Sequence, residues 1–204
     1  MKPRVFMGLI EVSSYYTNLK RGFDELGIDS VFVDFGRHPF GFNAPPHWAT
    51  RAMARLWNGH ETRRGLGFLV RRLVNGLLRV VLLASAIVKY DVFIFGYLSS
   101  FFRYRELPLL KLLRKKIIYV FHGSDSRPPY ADGYQVDSMD LAQMIRATAE
   151  RKAAIRTIER YADAIVCTPI HTQLHERPVV KYQSLGLPII HTAPPAAPST
   201  AEGG

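Results

Sequence analysis

The sequence predicts an α/β domain of the Rossmann-like kind, in which helices cover both faces of a parallel sheet. Short apolar runs, which are typical of buried parallel strands, recur along the chain. Segments with helical periodicity separate them. The first example is the pair of runs at residues 5–10 and 31–35, joined by a helical pattern through Leu19, Phe23 and Leu26. Such strand–helix–strand units build a parallel sheet.

The later elements follow the same alternation. Residues 66–89 predict a long apolar helix, and Ser138 is expected to cap another that continues to about Tyr161. A shorter helix is predicted over 107–113, and the further strands over 91–96, 116–121, 164–168 and 179–182. The pattern predicts one domain over residues 1–192, with a long loop at 36–60 that includes a short helix at 51–57. A disordered tail is expected at 193–204.

Charge is the least ordinary property of the composition. The chain of 204 residues is 48% apolar and 22% charged, yet its net charge is +10. Such an excess favours anionic partners, although a basic surface of no specific function is the alternative. The single cysteine, Cys167, excludes an intrachain disulfide, and the N-terminus does not resemble a signal peptide. A cytoplasmic protein is therefore expected.

Residues 66–88 raise the question of a membrane. The run is apolar, but Arg71, Arg72, Asn75 and Arg79 interrupt it, and its uninterrupted part is far shorter than a spanning helix. We expect a largely buried helix with the arginines at its edge. The alternative is an interfacial helix that would place the protein peripherally on an anionic membrane surface.

Ligands of parallel α/β sheets bind beyond the carboxyl ends of the strands. The segment after the fourth predicted strand is the most informative. His122 is its first polar residue, Gly123 permits a tight turn, and Ser124 and Asp125 offer a hydroxyl and a carboxylate. Arg127 offers a fork of donors to a phosphate or carboxylate. In the alternative, Asp125 and Arg127 pair locally and His122 only caps the turn. The same rule also picks out residues 11–17, 36–42 and 96–105.

Four stretches of the chain resemble the N-terminal, acceptor-side domain of GT-B glycosyltransferases of the family 4, or group 1, type. The opening strand and helix at 4–27 have its layout. Residues 89–95 resemble the family's "kyDvihvh" strand, and residues 115–127 its "kkvvyvfHGsDvR" stretch. The helix–strand junction at 159–168 completes the resemblance, which implies a role in polysaccharide or glycolipid biosynthesis.

The resemblance also implies roles for individual residues. His122 and Asp125 would be the catalytic pair beside the reacting sugar, with Gly123, Ser124 and Arg127 binding substrate. Tyr15 and Glu11, in the loop after the first strand, would contact the acceptor. Glu11 is as well placed to cap the following helix. That loop lacks the glycine pair that the family often places near the donor phosphates.

The family binds its nucleotide-sugar donor in a second domain, which this sequence does not contain. A donor would therefore bind only through a second domain or subunit, while the acceptor would be a sugar or a lipid-linked sugar. The chain is then expected to be a fragment, one subunit of a two-chain enzyme, or a non-catalytic scaffold. We expect it to be inactive alone.

Other classes of function lack their sequence signals. No nucleic-acid-binding motif accompanies the positive charge. No cofactor is expected, since the first strand–helix turn lacks Gly-x-Gly-x-x-Gly, and no nucleophile elbow of a serine hydrolase is present. No metal is expected either, because the His171/His175 pair lacks a third ligand nearby.

Overall fold

The computed structural model describes residues 2–35, 66–133 and 137–181, together with Trp48 and Arg51. The predicted loop at 36–60, apart from those two residues, and the predicted tail at 193–204 lie outside the described residues. So do the predicted helix at 51–57, apart from Arg51, and the candidate ligand segment at 36–42.

The sheet has six strands, and every adjacent pair is parallel. Its order is β2-β1-β3-β4-β5-β6. This confirms the predicted Rossmann-like α/β fold class. The strands are β1 (Val5–Leu9), β2 (Ser30–Asp34), β3 (Val92–Gly96), β4 (Lys116–Val120), β5 (Ala164–Cys167) and β6 (Val180–Lys181).

Four α-helices connect the strands in the described part of the chain. They are α1 (Tyr15–Glu25), α2 (Leu66–Lys89), α3 (Glu106–Leu112) and α4 (Leu141–Tyr161). The predicted cap of α4 was wrong by two residues. Asp140, not Ser138, is the N-cap, because its carboxylate accepts from the Gln143 backbone while the Gln143 side chain accepts from the Asp140 backbone. That reciprocal pair is a capping box, which needs an acidic or hydroxyl residue three positions before the glutamine.

The core has two layers, one on each face of the sheet. Helix α1 covers one face with Tyr16, packing on Met7 and Ile94 among others. The other three helices cover the opposite face, where they pack on a row of strand aromatics. The members of this second layer include Phe6, Phe93, Phe95, Tyr119, Leu82, Leu83, Leu107, Leu110, Ile155 and Ile158.

Among the described side chains of α2, the buried ones all lie in its C-terminal half. Leu82, Leu83 and Ala86 belong to the core, whereas Leu73 is 72% exposed and Leu77 63% exposed. The expectation of a largely buried helix is thus wrong for its first half. The physical reason is length: 24 residues extend about 36 Å, roughly twice the span of a five-residue strand. No helix among the described residues has both the length and the apolar character needed to cross a bilayer.

Candidate functional site at the carboxyl edge of the sheet

The order of the strands locates the ligand side of the molecule. Strand β1 lies between β2 and β3, so the chain leaves β1 in one direction and later returns to its other side. In open parallel sheets such a reversal marks the crevice in which ligands bind, beyond the carboxyl ends of the strands. The segments after β1, β3 and β4 meet at this edge.

His122 lies at this edge, two residues beyond the end of β4. Phe121, between them, is fully buried, and His122 is half-buried. Gly123 follows with φ of 130°, a conformation that side-chain-bearing residues rarely adopt. A Cβ at Gly123 would lie 3.2 Å from the ring of His171. The glycine therefore supplies both the sharp turn and the room for a second imidazole, as the sequence predicted for the turn.

Two tyrosines of α1 hold the imidazole of His122. The Tyr16 hydroxyl lies 3.1 Å from Nε2 and is hydrogen-bonded to it. The Tyr15 ring meets His122 edge-on, with ring centroids 4.9 Å apart. Burial lowers the pKa of His122 from its ordinary value near 6.5 to about 4. The imidazole is consequently neutral at physiological pH. The hydrogen bond with Tyr16 and the ring contact with Tyr15 together fix the orientation of its plane.

Tyr16 owes its position to a glycine at the end of β3. Its side chain is fully buried, and its hydroxyl lies where a Cβ of Gly96 would be, at 1.5 Å from the ideal position. Gly96 pairs with Val120, the last residue of β4. The phenol thus crosses over the end of β3 to reach His122, two residues beyond the end of β4.

Glu11 is buried and its carboxylate caps helix α1. It accepts hydrogen bonds from the backbone N–H groups of Val12, Tyr16 and Thr17 and from the Thr17 hydroxyl, over distances of 2.6–3.0 Å. Four donors occupy its two oxygens. Of the two roles considered for Glu11, its geometry is that of a helix cap. Its effect on the site is indirect, since it fixes the first turn that carries Tyr15 and Tyr16.

Asp125 turns back toward its own loop. Its Oδ1 accepts from the backbone N–H groups of His122, at 2.9 Å, and Gly123, at 2.8 Å. Its Oδ2 is buried and has no hydrogen-bond partner among the described residues. Burial raises the pKa of Asp125, although the two backbone donors oppose the shift. The carboxylate therefore shapes the turn and positions His122.

Arg127 does not pair with Asp125. Its guanidinium lies 3.7 Å from the carboxylate of Asp132, while its Nε is buried without a described partner. Ser124 is half-buried. Arg127 thus pairs locally, as one alternative from the sequence expected, but its partner is Asp132 rather than Asp125. This ion pair keeps the arginine beside the loop.

The structure brings together one compact group, Tyr15, Tyr16 and His122, with Asp125 and Gly123 supporting it. Sequence reasoning missed Tyr16 and Gly96. The glycine at the end of the third predicted strand, Gly96, was a signal that another side chain packs closely there. The sequence does not show that this side chain is Tyr16, because Tyr16 lies in a different element. In the described ranges, no three His, Cys, Asp or Glu side chains are close enough to hold a metal ion.

The sheet order and the polar group at its carboxyl edge define the class of the molecule as a Rossmann-like α/β domain. No family model matches the chain, and the curated proteins contain no significant match to it.

Proposed function

We propose that this chain is the acceptor-side half of a sugar-transferring enzyme and that a second domain or subunit supplies the nucleotide-sugar donor. The observation that carries the proposal is the neutral, half-buried imidazole of His122 at the ligand edge of the sheet. The resemblance of residues 115–127 to the corresponding stretch of GT-B glycosyltransferases supports it. His122 and the segments after β1 and β3 would together form one wall of an interdomain cleft.

The chemistry of His122 suits an acceptor hydroxyl. With a pKa of about 4, the imidazole is neutral at physiological pH, which is the form that can accept a proton or a hydrogen bond. The hydrogen bond with Tyr16 fixes the ring, and it couples the tautomer of His122 to the direction of the phenol proton. Asp125 has a positioning role, since it bonds the backbone of His122 rather than its ring.

A partner search followed by an assay tests the proposal. The tagged chain is purified from its source cells, and co-purifying proteins with a nucleotide-sugar-binding domain are identified. The complex is then assayed for transfer from radiolabelled nucleotide sugars to lipid and oligosaccharide acceptors. We expect transfer by the complex, with a kcat that His122→Ala lowers at least about a hundredfold, the usual range for a general acid–base group.

Two comparisons separate catalysis from structure. His122→Gln keeps a neutral hydrogen-bonding group within reach of Tyr16, so its stability should be close to that of the wild type while transfer remains lost. Lys20→Gln, on the exposed part of α1, should leave transfer unchanged. A stable complex with a donor-domain protein that transfers sugar equally well with His122→Ala would exclude the proposed role, and a complex without transfer would favour a scaffold.

A peripheral membrane location is a second part of the proposal, and the exposed face of α2 supports it. Leu69, Leu73, Leu77 and Val80 recur along one side of the helix, each at least 50% exposed. Arg72 is exposed beside them, and the chain has a net charge of +10. An apolar stripe flanked by cationic side chains is the pattern by which helices bind in the interface of anionic membranes.

Vesicle flotation tests the membrane contact. We expect the protein to float with vesicles that contain phosphatidylglycerol, to bind phosphatidylcholine vesicles much less, and to dissociate as ionic strength rises. The double variant Leu73→Gln/Leu77→Gln should reduce the bound fraction. Leu112→Gln changes a side chain of α3 that is 78% exposed and serves as the matched control. Equal binding by the α2 variant and the wild type would contradict a role for this face.

A further inference from the structure

A second concave region lies at the same edge of the sheet, on the face opposite α1. It is a cleft of about 410 Å³ between the end of β1, Phe35 after β2, the loop 98–104 after β3, and Arg79 of α2. Phe35, Leu98, Phe102 and Tyr104 pack against the core layer that contains α2. Tyr15 and Tyr16 belong to the other layer. The cleft and the His122 group are therefore separate sites on the two sides of the strand ends.

The loop after β3 has a specific conformation that its side chains maintain. Four non-glycine residues between β3 and α3 have positive φ, from 51° to 69°, a region that such residues seldom occupy; they are Tyr97, Leu98, Arg103 and Tyr104. Glu106 fixes one end by accepting from the Ser100 hydroxyl and from the backbone N–H groups of Phe101 and Phe102. Backbone of this kind costs energy and is concentrated at ligand sites.

Three side-chain hydroxyls complete this framework. The Tyr104 hydroxyl donates to the carbonyl of Leu98 at 2.8 Å. The Tyr119 hydroxyl donates to the carbonyl of Ser99 at 2.9 Å, and the Ser99 hydroxyl accepts from the backbone N–H of Leu9. The loop is thereby tied to the ends of β1 and β4, so the wall of the cleft exists before any ligand binds. Preorganised walls reduce the entropic cost of binding.

Arg79 provides the charge of the cleft. Its guanidinium stacks over the Phe35 ring, 5.1 Å from the centroid, and one of its nitrogens donates to the carbonyl of Phe101 at 3.3 Å. No acidic residue is among the described residues that line the cleft, which include a second arginine, Arg103. The carboxylate of Glu106, which follows the loop, accepts three hydrogen bonds from it.

We propose that this cleft binds an anionic amphiphile, with a phosphate or carboxylate head against Arg79 and an apolar chain along Phe35, Leu98 and Phe102. A guanidinium stacked on an aromatic ring keeps its planar fork of donors for an oxyanion. The aromatic and aliphatic walls suit a hydrocarbon chain. Where the proposed glycosyl transfer holds, this ligand is the lipid phosphate of the acceptor, and that assignment alone rests on the proposed function.

Binding is measured by isothermal titration calorimetry with three probes on the full chain. Octyl phosphate carries both head and chain, inorganic phosphate only the head, and octyl glucoside a similar chain with a neutral head. We expect octyl phosphate to bind at least about tenfold more tightly than either of the others. If inorganic phosphate binds as tightly as octyl phosphate, the apolar wall does not contribute to binding. If octyl glucoside binds as tightly as octyl phosphate, Arg79 does not contribute. Absence of octyl phosphate binding would overturn the proposal.

Variants locate the site. Arg79→Gln should weaken octyl phosphate about tenfold, the range expected for a charged hydrogen bond, and Phe102→Ser should weaken it as well. Arg105→Gln removes the same charge from an exposed residue next to the loop that does not line the cleft, and should have no effect. If Leu73→Ser abolishes binding while Arg79→Gln does not, the exposed face of α2 binds the probe and the cleft does not. None of these measurements requires sugar transfer, so they remain informative if the proposed function fails.

Discussion

His122 illustrates how its surroundings determine what a single side chain does. In an unfolded chain its pKa is near 6.5, whereas burial between two tyrosines lowers it to about 4 in the fold. Between these two values the unfolded state binds the proton and the folded state does not. The free energy of unfolding contributed by His122 is therefore fully present above pH 6.5 and is lost as the pH falls toward 4.

This linkage gives a prediction for pH dependence. Removing the titrating group with His122→Gln should flatten the rise of stability between pH 4 and 6.5, by up to about 1.4 kcal/mol per pH unit. Urea unfolding of both proteins across that range measures the difference. Asp125, whose pKa is raised, contributes in the opposite sense, but it is present in both proteins and cancels. Identical pH profiles would mean that His122 titrates normally in the fold.

Gly96 is the second residue whose role depends on one contact. A Cβ there would overlap the Tyr16 hydroxyl and lie 3.1 Å from the carbonyl of Val120. We expect Gly96→Ala to destabilise the protein by about 1–3 kcal/mol, the usual cost of overpacking a core. Gly22→Ala in α1, where a Cβ meets nothing within 4 Å, is the control and should be neutral or slightly stabilising. A Gly96→Ala protein as stable as the wild type would disprove the close contact.

Sequence reasoning singled out His122 and Tyr15 but not the contact between Tyr16 and His122, and the difference has a physical cause. An apolar run such as 116–121 must end where the sheet ends, so the first polar residue after it falls on the ligand edge. The contact between Tyr16 and His122 joins residues 106 positions apart. It depends on the separation of β1 and β4 by β3, which no local pattern encodes.

At the scale of elements, α1 connects stability to the site. Its N-cap position, Ser14, forms no side-chain cap hydrogen bond, and the buried carboxylate of Glu11 satisfies the first turn instead. Glu11→Gln keeps the shape but replaces one acceptor oxygen by an amide that donates. We expect a loss of about 1–3 kcal/mol in unfolding free energy. Glu25→Gln, on the exposed C-terminal turn of α1, should change stability little.

The Glu11→Gln variant also tests whether the cap positions the candidate site. Because the first turn of α1 holds Tyr15 and Tyr16, a displaced turn should also alter the environment of His122. Nuclear magnetic resonance titration of the imidazole would then show a His122 pKa closer to 6.5 in Glu11→Gln. An unchanged imidazole pKa in a destabilised variant would mean that the cap stabilises the helix without positioning the tyrosines.

The sequence predicts where the strands and helices lie, but not which face of a helix is covered by the rest of the protein. The strands and helices of the described regions lie within one or two residues of their predicted places, because burial on a sheet imposes periodicity on the sequence itself. The exposed stripe of α2 has the same apolar composition as a buried one. The stripe is exposed because the helix is longer than the sheet that it packs against. The hydropathy of the sequence does not show this difference in length.

At the scale of the whole molecule, the described residues form a single sheet with one ligand edge. The order β2-β1-β3-β4-β5-β6 was not predictable from the sequence, which indicated only that parallel strands follow one another. Once known, it brings three loops to one place. It also separates the His122 group from the Arg79 cleft by the thickness of the sheet, so that a reacting sugar and an amphiphile could occupy opposite sides of the same strand ends.

The last prediction concerns the molecule acting alone. In the proposed function this chain supplies one wall of the cleft, and the nucleotide-sugar donor binds in a second domain or subunit. We expect the purified chain neither to hydrolyse nucleotide sugars nor to transfer from them. Its melting temperature should also stay unchanged when they are added, since a ligand raises stability only where the folded state binds it. Octyl phosphate should raise the melting temperature in the same experiment, through the Arg79 cleft, which serves as the positive control. Turnover of a nucleotide sugar by the single chain would show that the donor site is complete without a partner.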